Sequence, residues 1–279
     1  MKNIVFISDF FSHQVLGGGE LNDKELINML TEHGYTVKSV NSSNVSEDFI
    51  ENNKNSFFII SNFVLLNRKC LDSIVNYCRY IIYEHDHKYV RNRNPGVYKD
   101  FIAPKDQIVN LQFYKNAVAV MLQSRLHEKI VYKNTNLENL VNLGGNLWSI
   151  THLDIIEDLC DKPKTNTYAI LDSSVPHKNT FDAVTFCKVK KYEYNLIKSS
   201  KYQDFLSLLG SNKCLVFIPK TPETLSRLVV ESRMMNMSVI TNNMVGATSE
   251  KWYQTKGKEL IQIMRSKREE IFNNVIRFI

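Results

Sequence analysis

The chain has 279 residues, of which 43% are hydrophobic and 23% charged. That balance fills a core in about two domains of ordinary size and excludes a disordered tail protein; no apolar run reaches the roughly 20 residues of a membrane-spanning helix. A net charge of +6 suits anionic ligands such as nucleotides, permits nucleic acid without requiring it, and comes with five scattered cysteines that form no Cys-x-x-Cys pair.

The odd number of these cysteines, their scatter and the lack of such a pair argue against a disulfide framework and a zinc knuckle, and point to a reducing cytoplasm. The first apolar stretch, residues 4–7, ends at Ser8-Asp9 without a small-residue cleavage site. It therefore reads as part of a buried strand over 3–9 and not as a signal peptide. Gly17-Gly18-Gly19 then opens a helix over about 20–33, on which Leu21, Leu26, Ile27 and Leu30 approximate one apolar face and Gly34 suits the position just past the end. A strand over 35–40, a weak helix near 46–54 and a strand over 57–61 follow. A helix over 66–79 leads into a strand over 80–84 and a polar segment over 85–95. A helix near 105–116, a strand over 117–123, a helix from Ser124 and a strand over 140–143 complete the first half.

The polar stretch 161–166, broken by Pro163, is the predicted linker. Beyond it come strand 167–172, helix 178–190, strand 193–198, helix 202–209, strand 214–219, helix 225–236, strand 238–241 and a last helical pattern over 253–279. The basic residues of that pattern, Lys256, Lys258, Arg265, Lys267 and Arg268, read as a solvated face. The predicted domains are 1–162 and 163–252, with 253–279 as a terminal helix. Strand–helix alternation implies parallel sheets covered by helices on both faces, hence an α/β fold of two Rossmann-like domains facing across a cleft. Ligands of such sheets bind beyond the carboxyl ends of the strands.

Three post-strand segments carry chemistry. Gly17-Gly18-Gly19-Glu20 allows close backbone approach and presents a helix start to an anion, although a flexible turn reads equally well. It is neither a dinucleotide fingerprint nor a Walker A loop. Glu84-His85-Asp86-His87, followed by Lys88, Arg91 and Arg93, ends the fourth strand. Substrate contact, a solvated turn and a metal site on His85 and His87 are its three readings; against the metal, alternate residues of an extended segment diverge and no third ligand is evident. In 219–231, Glu223 and Glu231 are separated by about 12 Å of rise if the whole segment is helical. Pro222 favours an entry loop instead, which points Glu223 into the cleft and turns the amides near Leu225 and Ser226 toward an anion. Two ordinary glutamates on a surface helix are the competing reading.

In chain order, Gly17-Gly18-Gly19-Glu20, His85-Asp86, Gln123-Ser124, Val141-Asn142-Leu143-Gly144-Gly145, Pro176-His177-Lys178-Asn179, Glu223 through Glu231 and Val239-Ile240-Thr241 resemble the motifs of GT-B glycosyltransferases. The likeness is to the retaining branch that uses nucleotide-sugar donors and carries Glu-x7-Glu. It spans most of the chain, and its specificity lies in the collinear order of short motifs. It implies a GT-B-like fold whose C-terminal helix crosses back to the first domain. The first domain would be acceptor-side and the second would bind the donor, a UDP- or GDP-linked sugar, with no further cofactor. His85 would touch the transferred sugar and Asp86 would lie near the acceptor hydroxyl. Gly18 and Gly19 would approach donor phosphates or acceptor, and Ser124 would contact the donor. Lys178 would neutralise the diphosphate as charge grows there. Glu223 would accept from sugar hydroxyls and Glu231 from the ribose, while the amides around Leu225 and Ser226 cap the phosphates.

The sequence departs from that pattern at Ser173, where the family has arginine, and at Ser226, where it has glycine. Without that arginine, phosphate neutralisation would rest on Lys178 plus another cation, for which Arg227 is a candidate without an assigned place. The chain is also short for the fold, which trims the second domain to about four strands. No Asp-x-Asp ends a strand, so no divalent metal is expected. The acceptor stays open among small molecules, lipid-linked sugars, polysaccharides, proteins and DNA carrying hydroxymethylated pyrimidines, which some phage enzymes of this fold modify. Lys88, Arg91 and Arg93 would suit a phosphate backbone. Ser173 is also consistent with a non-catalytic nucleotide-sugar-binding protein, and a nicotinamide oxidoreductase would lack its fingerprint loop.

Overall fold

Ile4, Val5, Phe6 and Ile7 are all buried, and a strand apolar on both sides needs cover on both faces. In the computed structural model, which describes residues 2–279, this run is β1 (Asn3–Ser8). It lies between β2 (Thr36–Asn41) and β3 (Phe57–Ile60), and β4 (Arg79–Tyr83), β5 (Ala119–Leu122) and β6 (Leu140–Asn142) extend the sheet in the order β2-β1-β3-β4-β5-β6, all parallel. Alternation sorts the strands' side chains into two cores. Val5, Ile7, Phe58, Ile60, Ile82, Val120 and Leu122 face one side, and Ile4, Phe6, Phe57, Ile59, Ile81, Tyr83 and Met121 the other. Each such side chain contributes roughly 1.5–3 kcal/mol on full burial.

The helices of this unit are α1 (Gly18–Glu32), α2 (Glu47–Asn53), α3 (Arg68–Tyr77), α4 (Leu111–Asn116) and α5 (Arg125–Thr135). The predicted face of α1 is rotated: Leu21 and Ile27 sit at half-buried margins, and the buried stripe runs through Asn22, Asp23, Leu26, Met29 and Leu30. Gly34 takes φ 83, as its place past the helix end requires. α4 begins at Leu111, later than the pattern predicts, because a separate 3-10 turn (Lys105–Gln107) and the left-handed Asn110 (φ 55) intervene.

The chain divides into Met1–Leu147 with Glu269–Ile279, and Trp148–Arg268. Of the terminal residues, Ile271, Phe272 and Val275 lie in the first unit's core. The second unit opens with α6 (Ile150–Cys160), which the sequence reading passed over although Ser149 caps it by accepting from the His152 amide at 3.2 Å. Leu153, Ile156 and Leu159 of α6 are core residues of this unit, so residues 161–166, the predicted linker, form the passage from α6 into β7.

That unit continues with β7 (Thr165–Leu171), α7 (Thr180–Lys190), β8 (Tyr194–Ile197), α8 (Tyr202–Gly210), β9 (Asn212–Val216), α9 (Arg227–Met234), β10 (Ser238–Ile240) and the start of α10 (Gly257–Ile276). Its four strands are parallel in the order β10-β9-β7-β8. The basic face of α10 is not wholly solvated. Arg265 pairs with Asp154 at 2.7 Å and Glu157 at 2.9 Å, and Arg268 is buried, donating to the Trp148 carbonyl. Strand order reverses between β1 and β3 in the first sheet and between β7 and β9 in the second. Those are the two places where open parallel sheets hold ligands.

Candidate functional site

In the first unit, the carboxyl ends of four adjacent strands converge on one buried network. Asp23, on the second turn of α1, is fully buried. Its Oδ2 accepts from Ser61 Oγ at 2.6 Å, just past β3, and from Ser8 Oγ at 3.2 Å, the last residue of β1. Its Oδ1 meets His85 Nε2 at 2.6 Å, just past β4. Gln123, just past β5, donates Nε2–H to the Glu84 carbonyl at 3.2 Å and contacts His85 Nδ1. A Cβ on Gly19 would stand 3.4 Å from the His85 ring, so this glycine packs on the imidazole. None of Gly17, Gly18 and Gly19 has positive φ; Gly18 and Gly19 form the first turn of α1 instead of a loop. Burial pushes the Glu20 carboxyl in that turn up.

A second buried cluster supports the His85-Asp86 segment. Glu84 accepts from Lys88, Tyr114 and the Asp86 amide, the last at 2.8 Å. Burial, and then the Glu84 charge, raises the Tyr114 hydroxyl well above its ordinary range. Lys88 is almost fully buried, so it is withdrawn from the phosphate contact the sequence predicts for it. Asp86 accepts from the His87 amide at 2.8 Å and from Arg93 at 3.1 Å. His87 turns to Tyr89 (2.9 Å) while His85 turns to Asp23, so the two do not converge on a metal. Ser124 is buried as the cap of α5, accepting from the His127 amide at 3.2 Å. His127 donates Nε2–H to the Asp86 carbonyl at 3.1 Å, and burial holds its pKa well below the ordinary value. The imidazole therefore acts as a neutral strut.

In the second unit, Lys178 follows β7 and Glu223 follows β9, and their side chains meet at 2.7 Å. Both are part-exposed, at 30% and 15%. The loops are tied together: the Lys220 amide donates to the His177 carbonyl at 2.8 Å, and Asn179 Nδ2 to the Ile218 carbonyl at 2.7 Å. Glu223 lies in the entry loop, its amide and carbonyl bonded to Met244 and Gly246 at 2.7 and 2.9 Å. Leu225 is fully buried, and Ser226, just before α9, adopts φ 74 and ψ 90. That backbone explains why a glycine would suit the position. Ser173, in place of arginine, forms a turn with its Oγ accepting from the Val175 amide at 3.2 Å.

Glu231 is buried just over one turn down from Ser226. Its Oε1 accepts from Trp148 Nε1 at 2.9 Å and from the Tyr202 hydroxyl, and stands 3.3 Å from Arg227 Nε. Arg227 lies over the Trp148 ring at 4.3 Å, so this cation is engaged in the Glu231 cluster. Burial, then the Glu231 charge, raises the Tyr202 hydroxyl. Sequence reading could not place Arg227 and missed Asp23, Trp148 and Tyr202. Only the alternation of polar and apolar residues on α1, with Asn22-Asp23 inside the stripe, signalled the first of these.

No family model matches the chain and no curated protein is similar to it. Among solved structures, Anabaena HepE in complex with UDP and glucose is similar over 97% of this chain and 90% of its own, at 12% identity and a TM-score of 0.58. An alpha-glucosyltransferase in complex with UDP-glucose and DNA containing an abasic site matches over 100% and 92%, at 10% and 0.52. A glycosyltransferase from Rickettsia africae matches over 98% and 94%, at 10% and 0.52. With two parallel sheets of six and four strands, each reversing strand order where its polar residues gather, the chain has the GT-B fold.

Proposed function

We propose that the protein is a glycosyltransferase that moves a sugar from a nucleotide-diphosphate donor to an acceptor hydroxyl with retention, in the cytoplasm and without a divalent metal. The observation that carries this reading is the part-exposed Lys178–Glu223 pair, held on two tied loops at the carboxyl ends of β7 and β9. A cation there offsets charge on a departing diphosphate, and a carboxylate beside it accepts from sugar hydroxyls. Several of the solved structures similar in fold hold UDP, UDP-glucose or UDP with glucose, which supports a UDP-linked donor. In front-face displacement the bond from anomeric carbon to diphosphate oxygen breaks as the acceptor oxygen bonds to the same face. The hydroxyl proton then passes to the leaving oxygen.

Thermal shift of the purified protein with UDP, GDP and their sugar conjugates tests the reading. A ligand at 100 times its Kd adds about 2.7 kcal/mol of stability. The correct nucleotide should raise Tm for the wild type and not for Lys178→Ala, and NMR of the product should show the donor's anomeric configuration. A Tm indifferent to every nucleotide diphosphate removes the proposal.

DNA is a second reading for the acceptor. One structural neighbour at a TM-score of 0.50 holds UDP and DNA containing a hydroxymethyluracil base. Arg91 and Arg93 line a pocket of about 170 Å³ beside the His85-Asp86 segment. Binding to duplex DNA that falls steeply with log salt would favour it, and no binding at low salt would remove it.

A further inference from the structure

We infer that Asp23 and Gln123 are positioning residues that hold His85 as the Nε2–H tautomer with both ring nitrogens engaged, so that His85 offers the sugar a fixed surface and takes no proton in the transfer. This rests on the glycosyl-transfer reading, in which His85 lies at the transferred sugar.

The tautomer follows from the hydrogen-bond pattern. Asp23 has acceptors only, and three donors surround it at 2.6, 2.6 and 3.2 Å, so the His85 nitrogen that meets it carries a hydrogen. On the other side, Gln123 could present either its nitrogen or its oxygen to Nδ1. Its terminal group also faces the Glu84 carbonyl at 3.2 Å, where a second oxygen would repel. The nitrogen therefore points that way, the amide donates, and Nδ1 accepts.

The ring plane is fixed as well. Tyr83 meets it edge-on at 5.0 Å and 84°, and α1 packs on it at Gly19, where no side chain intervenes. The Asp23 carboxylate is itself immobile, because the hydroxyls that bind it come from the ends of β1 and β3. The four residues that set the ring thus belong to α1, β4 and the segment after β5, elements that the sheet and its core hold rigid. A proton acceptor for the incoming hydroxyl needs a lone pair open to substrate, and Nδ1 has already given its own to Gln123.

Two measurements test this, and the first is independent of turnover. Nitrogen NMR of histidine-labelled protein, with His85 assigned through His85→Gln, should show a single Nε2-protonated tautomer in the wild type and a mixed population in Asp23→Asn. Gln123→Leu should keep the same tautomer, with the Nδ1 resonance shifted by loss of its hydrogen bond. A Nδ1-protonated His85, or one exchanging freely between tautomers in the wild type, overturns the inference. The second reads kinetics with the nucleotide sugar found active. Asp23→Asn and Gln123→Leu should each lower kcat by about 10²-fold with donor KM unchanged, and the double variant should lose no more than the worse single one. Additive losses, or a rise in KM alone, also overturn it. Gln123→Leu removes no buried charge, so it carries the test if Asp23→Asn fails to fold. A wild type with no transfer activity defeats the glycosyl-transfer reading while the NMR result still decides the positioning of His85.

Discussion

The polar cluster at the strand ends of the first unit and the one in the second are built on opposite terms. Asp23 and Glu84 are sealed carboxylates with three donors each, those of Asp23 drawn from elements far apart in sequence and those of Glu84 from its own strand end and from Tyr114 of α4. Lys178 and Glu223 form a single ion pair still reached by solvent. A buried pair stripped of one partner leaves a charge with no solvent, whereas a part-exposed pair is worth about 0–1 kcal/mol and is readily exchanged for a ligand. The first cluster thus serves shape, and the second is available for binding.

The contrast breaks most visibly at Lys88. Lys88→Met leaves Glu84 buried without its cation and should cost about 3–5 kcal/mol, read as a lowered denaturant midpoint. Lys178→Ala should invert that result: transfer falls by roughly 10²–10³-fold, while the midpoint moves by no more than about 1 kcal/mol. A Lys178 variant as unstable as the Lys88 variant would erase the distinction between the clusters.

His127 sharpens the first half of the comparison through pH. Its folded pKa is depressed by burial, so the unfolded chain binds the extra proton first. Stability is full above the ordinary value near 6.5 and declines below it, by up to about 1.4 kcal/mol per pH unit, until the folded state also protonates. Urea midpoints at pH 7.5 and 5.5 should diverge in the wild type and diverge less in His127→Gln. The smallest effect is at Ser226, whose φ of 74 costs a non-glycine residue of order 1 kcal/mol. Ser226→Gly should raise the midpoint by about half of that, because glycine gives some back as chain entropy. An unchanged or lowered midpoint would mean that the serine backbone is unstrained.

Much of the second cluster was legible beforehand. Pro222 placed Glu223 ahead of α9, and the Pro176-His177-Lys178 segment fell after a strand, because both signals act within a few residues. Even there Arg227 escaped, since its partners Trp148 and Tyr202 lie 79 and 25 residues away in sequence. Lys88 was misread as a surface cation because a lysine at a strand end looks solvated until Glu84 and Tyr114 are seen beneath it. The helix α6 was missed although Ser149 and the spacing of Leu153, Ile156 and Leu159 mark it.

By itself, the amino-acid order determined the alternation of strands and helices, the parallel character of both sheets and the loops that bear polar groups. Those properties depend on side-chain period and turn chemistry over short stretches. Only the tertiary structure decided which of those groups are spent on one another. Ser8, Asp23, Ser61, His85 and Gln123 become neighbours because parallel strands align their carboxyl ends, and a buried carboxylate then gathers whatever donors that alignment brings within reach.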